Sequence, residues 1–314
     1  MATAPVYNAS IQPNADAEFP AEKGRYHLYV AYSCPFASRA LSARNLKGLE
    51  NVISLSVAHP IAQKTKPDDE SDTHTGWTFV DPTTTPTVTD ANGNEYSTDG
   101  CIPDTVNHVK FVRDLFEKVD PTPRTFSVPV LWDKKKQTIV SDDSAGILRA
   151  LDSGFSELVP SDIALFPKEL EAAIEEANNG VVQDATGGFF KSKFIPDETV
   201  ASGELTKAFA AIAETDKLLA SQRYLVGKTI TEADVRFFHT LVRIDADTKK
   251  DSELKLTQFP NVVGYLRELY QIPALRKTVN WDHLKIALVS KLPHKPLGDG
   301  PFIDYEAAHD RNQL

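Results

Sequence analysis

Cys34 is the residue of this 314-residue chain whose type and setting most directly offer chemistry. It follows the run Tyr26-His27-Leu28-Tyr29-Val30, precedes Pro35, and stands where a helical pattern begins. Proline suits the first helical turn, because its missing N–H would have no partner there. The sulfur is then set against backbone N–H groups and the positive end of the helix dipole, which favour thiolate over thiol. A buried structural cysteine is the alternative. Position 37 is alanine, so a Cys-x-x-Cys dithiol is absent. A single thiol of this kind needs an external thiol to resolve whatever disulfide it forms.

Val128-Pro129 and Asp143-Ser144 are the other candidates. A proline inside a strand pattern costs a ladder hydrogen bond. A cis peptide that turns the Val128 backbone outward, to pair with an extended peptide-like ligand, would account for it. An ordinary edge-strand proline remains open. Asp143-Ser144 precedes a helical run, where an N-cap is the simple reading and carboxylate binding the functional one. The eight histidines are scattered without metal-type spacing, so no metal site is expected. Gly187-Gly188 stands alone, with no phosphate-loop or dinucleotide pattern around it. Cys101 reads as incidental, and the acidic stretch 68–72 as a solvated loop.

These residues need a frame. Residues 26–30 read as a strand, 36–46 as a helix, and Val52-Ile53-Ser54-Leu55-Ser56-Val57 as a second strand, giving a βαβ unit. Residues 60–100, with Pro82, Pro86 and Gly93, read as a long loop or insertion. Helical period returns over 104–119. Val128-Pro129-Val130-Leu131-Trp132 and Thr138-Ile139-Val140 then form a hairpin before a helix capped at Asp143-Ser144. Beyond residue 152 only helical patterns appear, at 161–178, 198–221, 231–247, 260–271 and 273–290. Thr231-Glu232-Ala233-Asp234 looks like a capping sequence. The expected organisation is an arm over 1–20, an α/β domain over 21–152, an all-α domain over 153–290 and an extended tail over 291–314.

Composition bounds the partners. With 44 acidic against 34 basic residues and a net charge of −10, no basic stripe is left for nucleic acid. Two cysteines cannot build a disulfide scaffold. Residues 1–19 lack the features of a signal peptide, and no stretch is long and apolar enough to span a bilayer. A cytoplasmic protein without a membrane partner is expected.

The order of elements and the three motifs resemble the cytosolic glutathione transferases, a thioredoxin-like domain followed by an all-helical one. Within that group the chain resembles the glutathionyl-hydroquinone reductases, the Xi class. Ser33-Cys34-Pro35-Phe36-Ala37-Ser38-Arg39, Gly76-Trp77-Thr78-Phe79 and Val128-Pro129-Val130-Leu131-Trp132-Asp133 carry the likeness. In the helical half it rests on Arg223-Tyr224-Leu225-Val226-Gly227, Thr231-Glu232-Ala233-Asp234 and Gly264-Tyr265-Leu266-Arg267-Glu268-Leu269-Tyr270. The resemblance implies glutathione as co-substrate and removal of glutathione from S-glutathionyl (hydro)quinones, ketones or related aromatic conjugates through a mixed disulfide on Cys34. It places Val128 and Pro129 against the cysteinyl part of glutathione, Asp143 and Ser144 at its γ-glutamyl end, and Trp77 along the tripeptide. It puts Arg113 at the glycyl carboxylate and Phe36 beside the nucleophile, and it implies a homodimer.

The chain also departs from the family pattern. Phe36 stands where tryptophan is usual, and Asp143 where glutamate is. Val182 follows Asn179-Gly180-Val181 in place of tyrosine, Ile286-Ala287-Leu288-Val289 replaces a tyrosine-bearing stretch, and Ala246-Asp247-Thr248-Lys249 replaces an aromatic, basic one. These losses of hydroxyl predict a more apolar acceptor site. Two other functions fit the same sequence: a non-catalytic carrier of glutathione and hydrophobic ligands, and a glutathione-dependent enzyme of secondary metabolism.

Overall fold

Strand β1 (Tyr26–Val30) is buried at all five positions, as expected of a strand with neighbours on both edges and both faces covered. In the computed structural model, which describes residues 6–293 and 295–314, the chain divides into two compact units. The first comprises residues up to 161 together with 282–297, and the second comprises 162–281 and 298–314. The first five residues of the expected arm, and His294, lie outside the described residues.

In the first unit β1 runs parallel to β2 (Ser54–Val57) through helix α1 (Pro35–Leu46), the predicted βαβ unit. The sheet is four-stranded. Its order is β2-β1-β7-β8, with β7 (Val130–Asp133) and β8 (Thr138–Ser141) forming the expected hairpin. Arg25 fixes the hairpin turn by a two-pronged contact to the buried Asp133 carboxylate, 2.6 Å from Nη2. Helix α3 (Ser144–Ser153) follows β8 and packs against α1.

Residues 60–100 are not a plain loop. They carry two hairpins, β3 (His59–Lys64) with β4 (Thr75–Thr78) and β5 (Thr87–Thr89) with β6 (Glu95–Ser97). Such short strands give too few alternations to register as a pattern. Helix α2 (Val112–Val119) is shorter than the predicted 104–119, because the Asp104 carboxylate takes the backbone N–H groups of Val106, Asn107 and Val109 and holds that stretch in turns. The arm lies along the β8 edge: Ala9 N–H donates to Val140 O at 3.1 Å and Asp142 N–H to Tyr7 O at 3.0 Å. It covers an edge that would otherwise invite pairing with another chain. Gly154 admits the arm closely, since a Cβ there would sit 2.6 Å from the Ile11 carbonyl.

His27, fully buried in β1, places its two ring nitrogens 2.7 and 2.9 Å from the hydroxyls of Ser54 and Ser56. Burial pushes its pKa down to about 4, and burial beside His59 does the same to His283. Because the unfolded chain takes up these protons first, stability is full above about pH 6.5 and falls as pH drops toward 4. By pH 5 the loss is on the order of 2 kcal/mol for each histidine. Urea unfolding at pH 7.5 and pH 5 measures it, and an unchanged midpoint contradicts it.

The second unit is helical. It contains α4 (Glu171–Ala177), α5 (Gln183–Phe194), α6 (Glu198–Leu219), α7 (Glu232–Asp247), α8 (Pro260–Gln271) and α9 (Pro273–Arg276). The expected 161–178 helix begins only at 171, and α5 was not predicted at all. A kink at Gly180 (φ −95°, ψ −112°) separates α4 from α5 and disrupts the helical period. Helix α10 (Trp281–Lys285) is distinct from α9, so the predicted 273–290 helix is broken, and residues 282–290 belong to the first unit. Helix α7 is buried along nearly its whole length and starts at the predicted Thr231–Asp234 cap. Asp234 accepts from Leu225 N–H, Thr231 N–H, the Thr231 hydroxyl and the Tyr265 hydroxyl at 2.8–2.9 Å. Much of the tail is docked: Asp245 accepts from Phe302 N–H, Ile303 N–H and the Tyr305 hydroxyl, and Arg311 donates to the carbonyls of Leu219, Gln222 and Arg223.

Candidate active site

Three segment ends meet at one end of the sheet. Because β1 and β7 are antiparallel, with Tyr29 opposite Val130, the chain leaving β1 toward Cys34 lies beside the chain entering β7 through Val128-Pro129. With Leu131 opposite Ser141, the exit of β8 toward Asp143-Ser144 falls at that same end. The sequence thus brings Cys34, Val128, Asp143 and Ser144 together through topology.

Cys34 is the N-cap of α1, in extended backbone, with Pro35 in the first turn. Its carbonyl accepts from both Ser38 N–H and the Ser38 hydroxyl at 3.0 Å. The half-buried thiol donates to the Val128 carbonyl at 3.5 Å, and the Val128–Pro129 peptide is cis. Asp143 caps α3 by accepting from Gly146 N–H at 2.7 Å, and Ser144 is the first helical residue, largely buried. Phe36 is 49% exposed, with the Arg39 guanidinium 4.8 Å from its ring centre.

Trp77 and Arg113 belong to a different layer. Trp77 is half-buried on β4, whose Thr78 bridges to Phe111 just ahead of α2. Arg113 on α2 pairs through Nη1 with Asp72 at 2.6 Å and through Nε with Glu117 at 2.6 Å, and Nη1 also donates to the Thr65 hydroxyl. Against the cost of burial, these acids hold the guanidinium charged. Among the described residues neither Trp77 nor Arg113 is hydrogen-bonded or ion-paired to Cys34, Val128, Asp143 or Ser144. Asp72 is therefore more than part of a solvated acidic loop: the His74 N–H and Arg113 hold its carboxyl below the usual range. Sequence reasoning missed Asp72, Thr65 and Glu117, and only the i, i+4 spacing of Arg113 and Glu117 offered a signal.

Tyr32, two residues before Cys34, meets His283 edge-on at 5.7 Å, and His283 meets His59 at 5.7 Å. Each of these histidines gives its Nε2 to a backbone carbonyl, Asp99 for His283 and Ser97 for His59. Burial and the nearby Asp99 push the Cys101 thiol up to about 12, which makes it a poor nucleophile. Of the positions expected to line a more apolar acceptor site, Val182, Ile286 and Val289 are packing residues. Val182 is almost fully buried, and Ile286 and Val289 share a core cluster with Ile61 and Val88.

Residues 33–153 match the family model "Glutathione S-transferase, N-terminal domain", and residues 171–268 match "Glutathione S-transferase, C-terminal domain". The chain is 34% identical over 310 residues to glutathionyl-hydroquinone reductase YqjG of Escherichia coli, covering 96% of this chain and 86% of that one. The chain belongs to the glutathionyl-hydroquinone reductases, the Xi class of glutathione transferases. An Xi-class transferase from Natrialba magadii superposes with a TM-score of 0.84 at 32% identity, covering 99% of this chain and 90% of that one. The glutathione-bound structure of E. coli YqjG gives 0.82 at 32% identity, covering 98% and 96%. The thioredoxin-like and helical halves of the Xi class are thus both present. Among the described residues no helix is long and apolar enough to cross a membrane, and no cluster of metal-ligating side chains appears.

Proposed function

We propose that this Xi-class enzyme removes glutathione from S-glutathionyl hydroquinones, ketones or related aromatic conjugates, with Cys34 as nucleophile. The observation that carries the reading is the convergence of the Cys34 thiol, the Val128 carbonyl and the Asp143–Ser144 helix start at one end of the sheet. The Cys34 thiolate attacks the glutathionyl sulfur. An S–S bond forms, the sulfur–carbon bond breaks, and the carbon keeps the electron pair and takes a proton from solvent. A second glutathione thiolate then attacks the mixed disulfide, giving oxidised glutathione and restoring Cys34. The net change reduces the conjugate's carbon and oxidises one added glutathione.

In this reading the Val128 backbone pairs with the cysteinyl part of glutathione beside Pro129. Ser144 and the α3 N–H groups receive the γ-glutamyl carboxylate, and Asp143 receives its ammonium. Arg113 supplies Nη2 to the glycyl carboxylate, since its known partners use Nε and Nη1. Trp77 packs along the tripeptide and Phe36 flanks the reacting sulfur. A homodimer in the cytoplasm is part of the proposal. Incubation with an S-glutathionyl hydroquinone and glutathione should release equal amounts of hydroquinone and oxidised glutathione. Release of neither overturns the reading.

Asp143 has two roles that substitution separates. Asp143→Asn keeps a cap acceptor and loses the charge, so the KM for glutathione should rise about tenfold with little change in stability. Asp143→Ala should show the same kinetic loss and cost a further ~1 kcal/mol of stability. Kinetics and urea unfolding of both variants measure this. Equal KM values for Asp143→Asn and wild type contradict the proposed charge contact.

A further inference from the structure

Strand β8 is the last of its sheet, and its registered pairing with β7 ends at Leu131 and Ser141. Pro129 has no N–H with which to carry that pairing further. From there the chain leading into Asp143 and Ser144 is held on its other side, by the arm. Asn8 bridges antiparallel to Ser141, Ala9 N–H donates to Val140 O at 3.1 Å, and Asp142 N–H donates to Tyr7 O at 3.0 Å. The last of these falls one residue before the α3 cap. Asp143 N–H in turn donates to the Ser141 hydroxyl at 3.2 Å.

The Tyr7 side chain reaches the same neighbourhood. Its ring centre lies 4.8 Å from the Arg124 guanidinium, which is also 5.6 Å from the Phe116 ring centre on α2. Burial pushes the Asp142 carboxyl up, and the Arg124 charge pulls it down. The Tyr7 hydroxyl has no hydrogen-bond partner among the described residues, so the ring makes the contact. Further along, the arm is fastened to itself: Ile11 is buried, Gln12 N–H donates to Phe19 O, and Ala21 N–H donates to Gln12 O. Residues 7–9 are thus presented to β8 from a fixed base.

We propose that residues 7–9 are a positioning strand for glutathione, setting the α3 start through backbone pairing and the Tyr7 ring, an inference that rests on the γ-glutamyl assignment of Asp143 and Ser144. A backbone shift at Asp142 moves both of those side chains and the first α3 N–H groups together. Supporting contacts of this kind hold a binding group in its productive geometry without touching the ligand. Cys34 follows β1, two strands away from β8. The arm therefore acts on affinity and leaves bond making at the sulfur unchanged.

Titration calorimetry of the full-length protein with glutathione and with γ-glutamylcysteine tests this. Ala9→Pro removes the donor to Val140 O, and Tyr7→Ala removes the ring beside Arg124. Each should weaken both ligands about fivefold or more, while kcat at saturating substrates stays within about twofold of wild type. Tyr7→Phe keeps the ring and should bind as wild type does. Because γ-glutamylcysteine lacks the glycine, equal losses for the two ligands locate the effect at the γ-glutamyl end. A strand with a merely structural role would lower the thermal midpoint alone, so wild-type affinity in both Ala9→Pro and Tyr7→Ala overturns the proposal. A loss confined to glutathione overturns the placement at the γ-glutamyl end. Where Ala9→Pro does not fold, the comparison of Tyr7→Ala with Tyr7→Phe decides. Absence of glutathione binding by the wild type is a different result, which overturns the site assignment itself and the arm's role with it.

Discussion

Replacing Cys34 by serine should abolish glutathione-dependent turnover, by at least ~10³-fold, while leaving glutathione binding nearly intact. A serine hydroxyl cannot form the sulfur–sulfur bond on which both half-reactions depend. Its oxygen is close to isosteric with the thiol, and the contacts that place it are backbone ones: the Val128 carbonyl, and Ser38 donating to the residue-34 carbonyl. The fold should therefore be unaffected. The pattern of lost kcat with retained affinity separates the enzyme from a carrier of glutathione and hydrophobic ligands, which would lose neither. The matching change at Cys101 should be silent in the same assay, since that thiol is buried and held protonated. Steady-state kinetics together with calorimetric binding of glutathione reads all three predictions.

The second large effect is on stability. Asp234→Ala should cost upwards of ~4 kcal/mol, because four donors around a fully buried carboxylate would lose their acceptor at once and each stranded donor costs ~1–3 kcal/mol. That approaches the whole stability of an ordinary domain, so the variant should accumulate largely unfolded. Burial pushes this carboxyl up while the four donors pull it down. Its value to the fold lies in joining the start of α7, the 225–231 loop and α8 at one point. Tyr265→Phe removes a single donor and should cost only about 1–3 kcal/mol, which keeps the idea testable where the alanine variant does not fold. Urea unfolding measures both. An Asp234→Ala protein within ~1 kcal/mol of wild type contradicts the account.

The parts of this architecture that were legible in the sequence are local. Pro35 after Cys34, the capping Asp143 and the Thr231–Asp234 pair each announce a helix start, because a cap is written in adjacent residues. Tyr26-His27-Leu28-Tyr29-Val30 and the 128–140 hairpin were readable for the same reason. The insertion hid its hairpins, since the three-residue strands Thr87–Thr89 and Glu95–Ser97 leave almost no period to read. Arg113 could be singled out, but its partners Asp72 and Thr65 lie some forty residues away in sequence and meet it only through β3, β4 and α2. The tail likewise read as extended from its prolines and glycines, and those glycines are what allow it to lie against the end of α7.

The central claim is that Cys34 carries glutathione covalently during turnover. Intact-protein and peptide mass spectrometry after exposure to an S-glutathionyl hydroquinone, without added glutathione, tests it most directly. The account predicts one added glutathionyl group, located on Cys34, absent from Cys101, and removed by subsequent glutathione. An unmodified Cys34 in protein that nevertheless turns the conjugate over would contradict it.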